Sequence, residues 1–409
     1  MADCIVPEGY KKTLLGVIPK EWKVKRLELL CSNKGDYGIN APAVTYSKDL
    51  PTYLRITDID DDGRFITADK TSVNSSNSEN FRLKEGDIVF ARTGATVGKT
   101  YLYNPNDGDL VFAGFLIRFS LDTQKIIPSF LRAYTNTSIY WNWAKIISQR
   151  SGQPGINAAE YCSLQIPVPP LTEQQKIVEI LSVWDKAIEK QTQLIAKLEL
   201  RKKGLMQQLL TGKKRLPGFS EEWKDVKLGT LFIERNEINR ANLPLLSITA
   251  DRGVIFQSES DKRDISNDDK SKYKRICPND IGYNTMRMWQ GRCALSSLEG
   301  IVSPAYSIIT PNKDVNPHYM EMLFKQPFTM YCFWTHSQGL VSDTLNCKFH
   351  DFSQIKVTIP SLKEQNAISY LFMEINHEID VCTRQLNLLY QEKKGLMQVL
   401  LTGKKRVTQ

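Results

Sequence analysis

Two loops concentrate the side chains best suited to holding a polyanion. Gly86-Asp87-Ile88-Val89-Phe90-Ala91-Arg92-Thr93-Gly94-Ala95-Thr96-Val97-Gly98-Lys99 runs from a strand-forming stretch into a glycine-bearing loop, and Met286-Arg287-Met288-Trp289-Gln290-Gly291-Arg292 follows a similar stretch farther on. Arg92, Thr93 and Lys99 in the first, and Arg287, Gln290 and Arg292 in the second, supply guanidinium, ammonium, hydroxyl and amide donors. Arginine can take the O6 and N7 edge of guanine with two bonds, glutamine can pair with adenine, and the cations all suit phosphate. Each loop has a polar companion downstream. The stretch 148–157 carries Arg150, Gln153 and Asn157, while 337–343 carries Gln338 and Ser342. The two companions differ, as parts that discriminate between targets should; their ordinary alternative is a solvated loop.

The charge balance agrees with these donors. Fifty-four Lys and Arg against 45 Asp and Glu leave a net charge of +9 and a pI near 9.0, which favours a polyanionic partner. Competing chemistries find little support. Gly94 to Thr100 nearly spells a phosphate-binding loop, but three residues separate its glycines where four are needed, and Tyr101-Leu102-Tyr103-Asn104-Pro105 reads as strand and turn where a helix should begin. The four histidines and eight cysteines show no metal-ligand spacing and no C-x-x-C, so the thiols read as reduced and mostly buried, Cys382 among them. No methyltransferase motif of the Asn-Pro-Pro-Tyr type and no supported Ser-His-Asp set is present. The first dozen residues lack a signal-peptide core, and no apolar run nears the ~20 residues of a spanning helix. A cytoplasmic, non-catalytic protein is expected.

What positions the loops is a pair of related segments. With 409 residues and 41% hydrophobic content there is room for two or three domains. Glu21-Trp22-Lys23 returns as Glu222-Trp223-Lys224, Leu54-Arg55-Ile56-Thr57-Asp58 as Leu246-Ser247-Ile248-Thr249-Ala250, and Ile127-Pro128 as Asn316-Pro317. The last of these opens a helix with proline in its first turn. Final strands at 164–168 and 355–359 end each segment, so each reads as a compact mixed α/β domain. Trp22 and Trp223 belong to this repeated frame and read as structural.

Each segment runs into a long heptad helix. Ile177, Leu181, Trp184, Ile188, Ile195 and Leu198 recur at steps of four and three or their sum, and Ile368, Phe372, Ile375, Ile379, Leu386 and Leu389 do the same. A period of 3.5 held over five heptads predicts a coiled coil, and two matched copies predict that they pack together. Lys393 is the strong polar break in the second seam. Thr172 with Gln175, and Ser361 with Glu364, offer capping boxes; Gly212 and Gly403, each followed by Lys-Lys-Arg, offer the stops. Each helix is then about 39 residues, roughly 58 Å. Lys202-Lys203-Gly204-Leu205-Met206-Gln207 reappears as Lys393-Lys394-Gly395-Leu396-Met397-Gln398, so the chain is a duplicated module in cyclic order, with termini expected close together.

Taken with Leu171-Thr172-Glu173-Gln174-Gln175-Lys176-Ile177 and its echo Leu362-Lys363-Glu364-Gln365, these runs make the chain resemble, over essentially its whole length, the specificity subunit of Type I restriction–modification enzymes. The resemblance implies two mixed α/β target-recognition domains separated by two long antiparallel coiled-coil helices in a pseudo-two-fold, cyclic arrangement: a first domain at 1–170, a central helix at 171–213, a second domain at 214–361 and a C-terminal helix at 362–409. It implies double-stranded DNA as target, read as an asymmetric bipartite site with half-sites about one turn, roughly 34–36 Å, apart. The helices would set that spacing and dock two modification subunits, which bring S-adenosylmethionine; motor subunits of the restriction enzyme would bring ATP and Mg²⁺. No cofactor is expected on this chain, and no membrane. Because such glycine-loop motifs recur in relatives that read different sequences, phosphate contact or structural support suits Arg92, Thr93, Lys99, Arg287, Gln290 and Arg292 better than base choice. The alternative is a freestanding coiled-coil DNA-binding adaptor, which a pull-down without any methyltransferase subunit would favour.

Overall fold

The computed structural model describes residues 6–249, 252–260, 267–339 and 344–407. Ser342 and Cys4 lie outside them. Residues 1–192 with 384–409 form one compact unit, and 193–383 form another.

In the first unit the strand Asp87–Ala91 is buried along its whole length and sits inside an antiparallel sheet ordered Asp36–Tyr37, Leu116–Ser120, Asp87–Ala91, Thr100–Leu102. Phe90 faces Ile117 on one side and Thr100 on the other. Side chains alternate across such a strand, and here the alternation divides two cores. Ile88 and Phe90 join Ile117, Phe119, Phe130, Leu131 and Tyr140 under the helices α1 (Pro128–Tyr134), α2 (Ser138–Ile147) and α3 (Ala158–Cys162). Val89 and Ala91 point the other way, with Leu54, Ile59, Phe65, Leu110 and Phe112, into a lobe built on the sheet Leu110–Phe112, Thr52–Leu54, Thr71–Val73, Ala43–Thr45. The repeated stretch 54–58, with its β-branched residues, reads as a strand, but the strand stops at Leu54. The Asp58 carboxylate accepts the Arg55 backbone N–H at 2.8 Å and its guanidinium at 2.7 Å, which curls the segment into a short 3-10 turn.

The second unit repeats this order. After α4 (Leu171–Leu209) and the short α5 (Leu228–Leu231), its main sheet runs Phe232–Glu234, Tyr306–Pro311, Ile281–Asn284, Cys293–Leu295. It is covered by α6 (Pro317–Phe324), α7 (Pro327–His336) and α8 (Phe349–Gln354), and α9 (Leu362–Leu400) follows.

Both long helices are 39 residues, and each gives its first half to one unit and its second half to the other. Within the first unit they run antiparallel: Asp185 meets Lys393 at 2.6 Å and Gln191 meets Gln385 at 3.2 Å. Within the second, Leu198 and Leu209 share a core with Ile368, Phe372, Ile375 and Ile379. Seam residues Ile177, Leu181, Ile188, Leu198, Ile368, Phe372, Ile375 and Ile379 are buried, while Trp184, Ile195, Leu386 and Leu389 are half-buried. Apolar residues off the seam, such as Val183, Leu200 and Tyr370, are exposed. Burial thus follows the heptad, not hydrophobicity alone.

The helix ends divide. Gly212 and Gly403 adopt left-handed φ of 70° and 71°, as a stop signal requires. The expected starts are not made by capping boxes. Thr172 lies one residue inside α4, the Gln175 amide donates to Glu179, and the Pro170 carbonyl accepts the N–H groups of Glu173 and Gln174; in α9 the Ser361 carbonyl does the same work for Glu364 and Gln365. In α9 a tertiary partner, Arg215, has taken the Glu364 carboxylate that a box would use, and in α4 the Gln175 amide is turned along its own helix.

Candidate nucleic-acid interface

In the first unit the glycine loop and its polar companion are stitched together. The Ile156 N–H donates to the Arg92 carbonyl at 2.9 Å, the Gly94 N–H to the Pro154 carbonyl at 3.0 Å, and Thr93 bridges Gly155. Gln153 lies against Gly94, where a Cβ would approach its amide nitrogen to 3.0 Å. The Arg92 guanidinium stacks 4.8 Å from the Tyr37 ring and has no carboxylate partner among the described residues. Stacking of this kind fixes a guanidinium without neutralising it. Beside it opens a 690 Å³ cavity lined by Arg26, Lys34, Tyr37, Asn157 and Ser163. Arg92, Thr93, Gln153 and Asn157 therefore share one surface.

Two of the other candidates are spoken for. Arg150 pairs with Glu160 and donates to the Ile147 carbonyl at 2.7 Å. Lys99 is only 21% exposed and lies 2.7 Å from Asp61, whose carboxyl it holds below the usual range by hydrogen bonding and charge. Asn157 is partly committed as well. Its side-chain oxygen accepts the Glu160 N–H at 2.9 Å while Glu160 accepts the Asn157 N–H, a capping box on α3.

The second unit makes the same stitch with other residues. The Cys347 N–H donates to the Thr285 carbonyl at 2.8 Å, and Gln338 and Asn346 exchange backbone bonds at 2.8 and 3.0 Å. Gly291, at φ 70°, lets the loop lie on α7, where a Cβ would sit 3.3 Å from the Met330 sulfur. Arg287 and Arg292 are exposed and Gln290 half-buried, and none has a side-chain partner among the described residues. Along α7, Phe328, Tyr331 and Trp334 are exposed, where α2 has Ile139, Asn142 and Lys145.

A buried polar set escaped the reading of the sequence. Glu173, 6% exposed, accepts the Trp22 indole N–H at 3.0 Å and the Arg406 guanidinium at 2.8 Å. Glu364, 1% exposed, accepts the Arg215 Nε–H at 2.6 Å. In each unit the arginine that follows one helix thus clasps the first turn of the other. Gln174 accepts the Ile127 N–H at 2.8 Å and donates to the Pro169 carbonyl at 2.9 Å; Gln365 does likewise with Asn316 and Pro360, both at 2.9 Å. Those bonds tie α1 and α6 to the long helices. The available signal was a Glu-Gln pair and a distant Lys-Lys-Arg retained together through two otherwise diverged copies.

Residues 19–200 match the family model for the Type I restriction modification DNA specificity domain. Two proteins of Methanocaldococcus jannaschii, described as the MjaX (an inferred name) and MjaVIII type I restriction enzyme specificity subunits, are 25% and 24% identical; the matches cover 98% and 95% of this chain and 97% and 94% of theirs. Among solved structures, the HsdS subunit from Thermoanaerobacter tengcongensis superposes with a TM-score of 0.51 at 16% identity, over 95% of this chain and 98% of that one. The S subunit of a type I system from M. genitalium gives 0.53 at 14%, over 95% and 97%. These structures share the fold of mixed helix-and-sheet domains and a long helix pair. By its motifs and by relatives that align with it from end to end, the chain is similar to Type I restriction–modification specificity subunits, and residues 19–200 carry the match to that family's DNA specificity domain.

Proposed function

We propose that this subunit reads an asymmetric bipartite DNA sequence, one half-site per unit, while the helix pair sets the spacing and docks two modification subunits. Those subunits would bring S-adenosylmethionine, and motor subunits would bring ATP and Mg²⁺; the chain itself would act in the cytoplasm without cofactor or catalysis. The observation that carries the reading is the repeated stitch of a glycine loop to a polar companion, built with unlike side chains in the two units. A common scaffold presenting different donors is what two different half-sites require. Gln153 is the base-contact candidate of the first unit, and Arg92, Arg287 and Arg292 are the phosphate-contact candidates of the two units. Among the described residues, no group of three His, Cys, Asp or Glu side chains could hold a metal, and no helix is long and apolar enough to cross a membrane.

Mapping methylated adenines in a host that carries this subunit with its modification partner tests the proposal. The expected result is two unlike short sequences at a fixed separation. Methylation at a single continuous sequence, or capture of no methyltransferase by the purified chain, would overturn it.

A further inference from the structure

Lys99 and Lys393 are cations in awkward places, one half-buried behind the recognition loop and the other at a heptad seam. Following their partners leads along one line. Lys99 lies 2.7 Å from Asp61 and donates to the Ile59 carbonyl at 3.3 Å. Asp61 belongs to a turn closed by the pairing of Ile59 with Phe65. That turn is braced from within: the Arg64 N–H donates to Asp60 Oδ1 at 2.7 Å, the Asp60 N–H donates to the Arg64 carbonyl at 3.1 Å, and Gly63 at φ 68° makes the reversal. It is also braced from α1, where the Arg132 guanidinium donates to the Asp62 carbonyl. On its far side Arg64 reaches to 3.7 Å from Asp185 on α4, and the same Asp185 oxygen lies 2.6 Å from Lys393 on α9.

The other unit shows what is particular to this one. Aligning Ile248 with Ile56 and Gly253, at φ 70°, with Gly63 makes the matching turn two residues shorter and puts Val254 in the place of Arg64. The repeat position of Asp185 in α9 is Asn376. Lys202, the counterpart of Lys393, turns to Glu199 on its own helix at 3.8 Å, and Arg292, the counterpart of Lys99, has no partner among the described residues. The receiving carboxylate and the reaching arginine are absent together, an arginine stands in place of Lys99, and the remaining lysine is turned away to its own helix.

We propose that the line from Lys99 through the turn and Arg64 to Asp185 and Lys393 is a strut that holds the first recognition loop at a fixed angle to the helix pair. Asp185, its foot, is a positioning residue for the spacer length that the subunit accepts. Half-exposed ion pairs add little to folding stability one by one, so the strut acts by restricting angle. It is an interhelix polar contact of the kind that selects one register among several. This rests on reading the chain as a bipartite DNA reader.

The test uses the full subunit with its modification partner in a host, with methylated sites mapped. Asp185→Asn removes the charge at constant shape, and Asp185→Leu combined with Lys393→Met replaces the pair by apolar side chains that keep the seam packed. Both are expected to methylate the same two half-sites, while methylation at spacers one base pair longer or shorter rises about tenfold, within the usual range for coupled positions, and the thermal midpoint stays put. Lys202→Met, the same change at the repeat position, should keep the single spacer. Unchanged off-spacer methylation in Asp185→Asn overturns the strut even if the double variant fails to fold. Wild-type subunit giving no bipartite methylation overturns instead the reading on which the strut rests.

Discussion

Arg287 and Arg292 keep their charge free for a ligand, whereas Lys99 spends its charge on Asp61. Arg287→Ala and Arg292→Ala should therefore each lower the salt slope of DNA binding by about 1, and Lys99→Ala should leave it nearly unchanged; anisotropy titrations across a salt series decide this. Gln153→Ala should cost ~1–3 kcal/mol and relax one base position, seen by competition with sites mutated one pair at a time. The candidate donors were legible as residue types on loops. Their availability was not, because Asp61 and Glu160 reach Lys99 and Arg150 only through the folded backbone. Thiol chemistry follows the same logic. Burial pushes Cys31, Cys293 and Cys347 up to about 12, so they stay protonated at pH 8, where the thiolate is needed for alkylation. Iodoacetamide should spare them in the native protein and label them in denaturant.

The long helices were legible because a 3.5-residue period needs no tertiary information: each seam position named from the heptad is buried or half-buried, and the glycine stops stand where the pattern ends. Their starts stand where the sequence places them, but not through the expected boxes: Glu364 serves Arg215, far along the chain, and Gln175 turns to Glu179 on its own helix. Removing Arg406 as Arg406→Ala leaves the buried Glu173 carboxylate short of its charged donor and should cost about 2 kcal/mol, measured by urea unfolding. Gly403→Ala should cost at least about 1 kcal/mol, because φ of 71° disfavours any Cβ and this one would press on Pro19. Ile188→Asp should abolish specific binding with the domain sheets still folded, checked by circular dichroism beside the binding assay.

At the scale of the molecule, the cyclic order read from the repeats appears as contact between the chain ends: Arg406 meets Glu21 at 2.7 Å. What the order of motifs did not disclose is how unequal the two units are in connectivity. Residues 193–383 are one continuous stretch, while the first unit is closed by 384–409 returning to 1–192. A chain emerging from the ribosome at 5–20 residues per second can finish the second unit first and must hold the other open for about 10–40 s until its last helical turns arrive. A chain ended after Thr383 should accordingly show a protease-resistant second unit and a digestible first one. Translation that stops short of the last helix thus yields one closed unit beside an open one, so the fold of the first unit registers whether the chain has been finished.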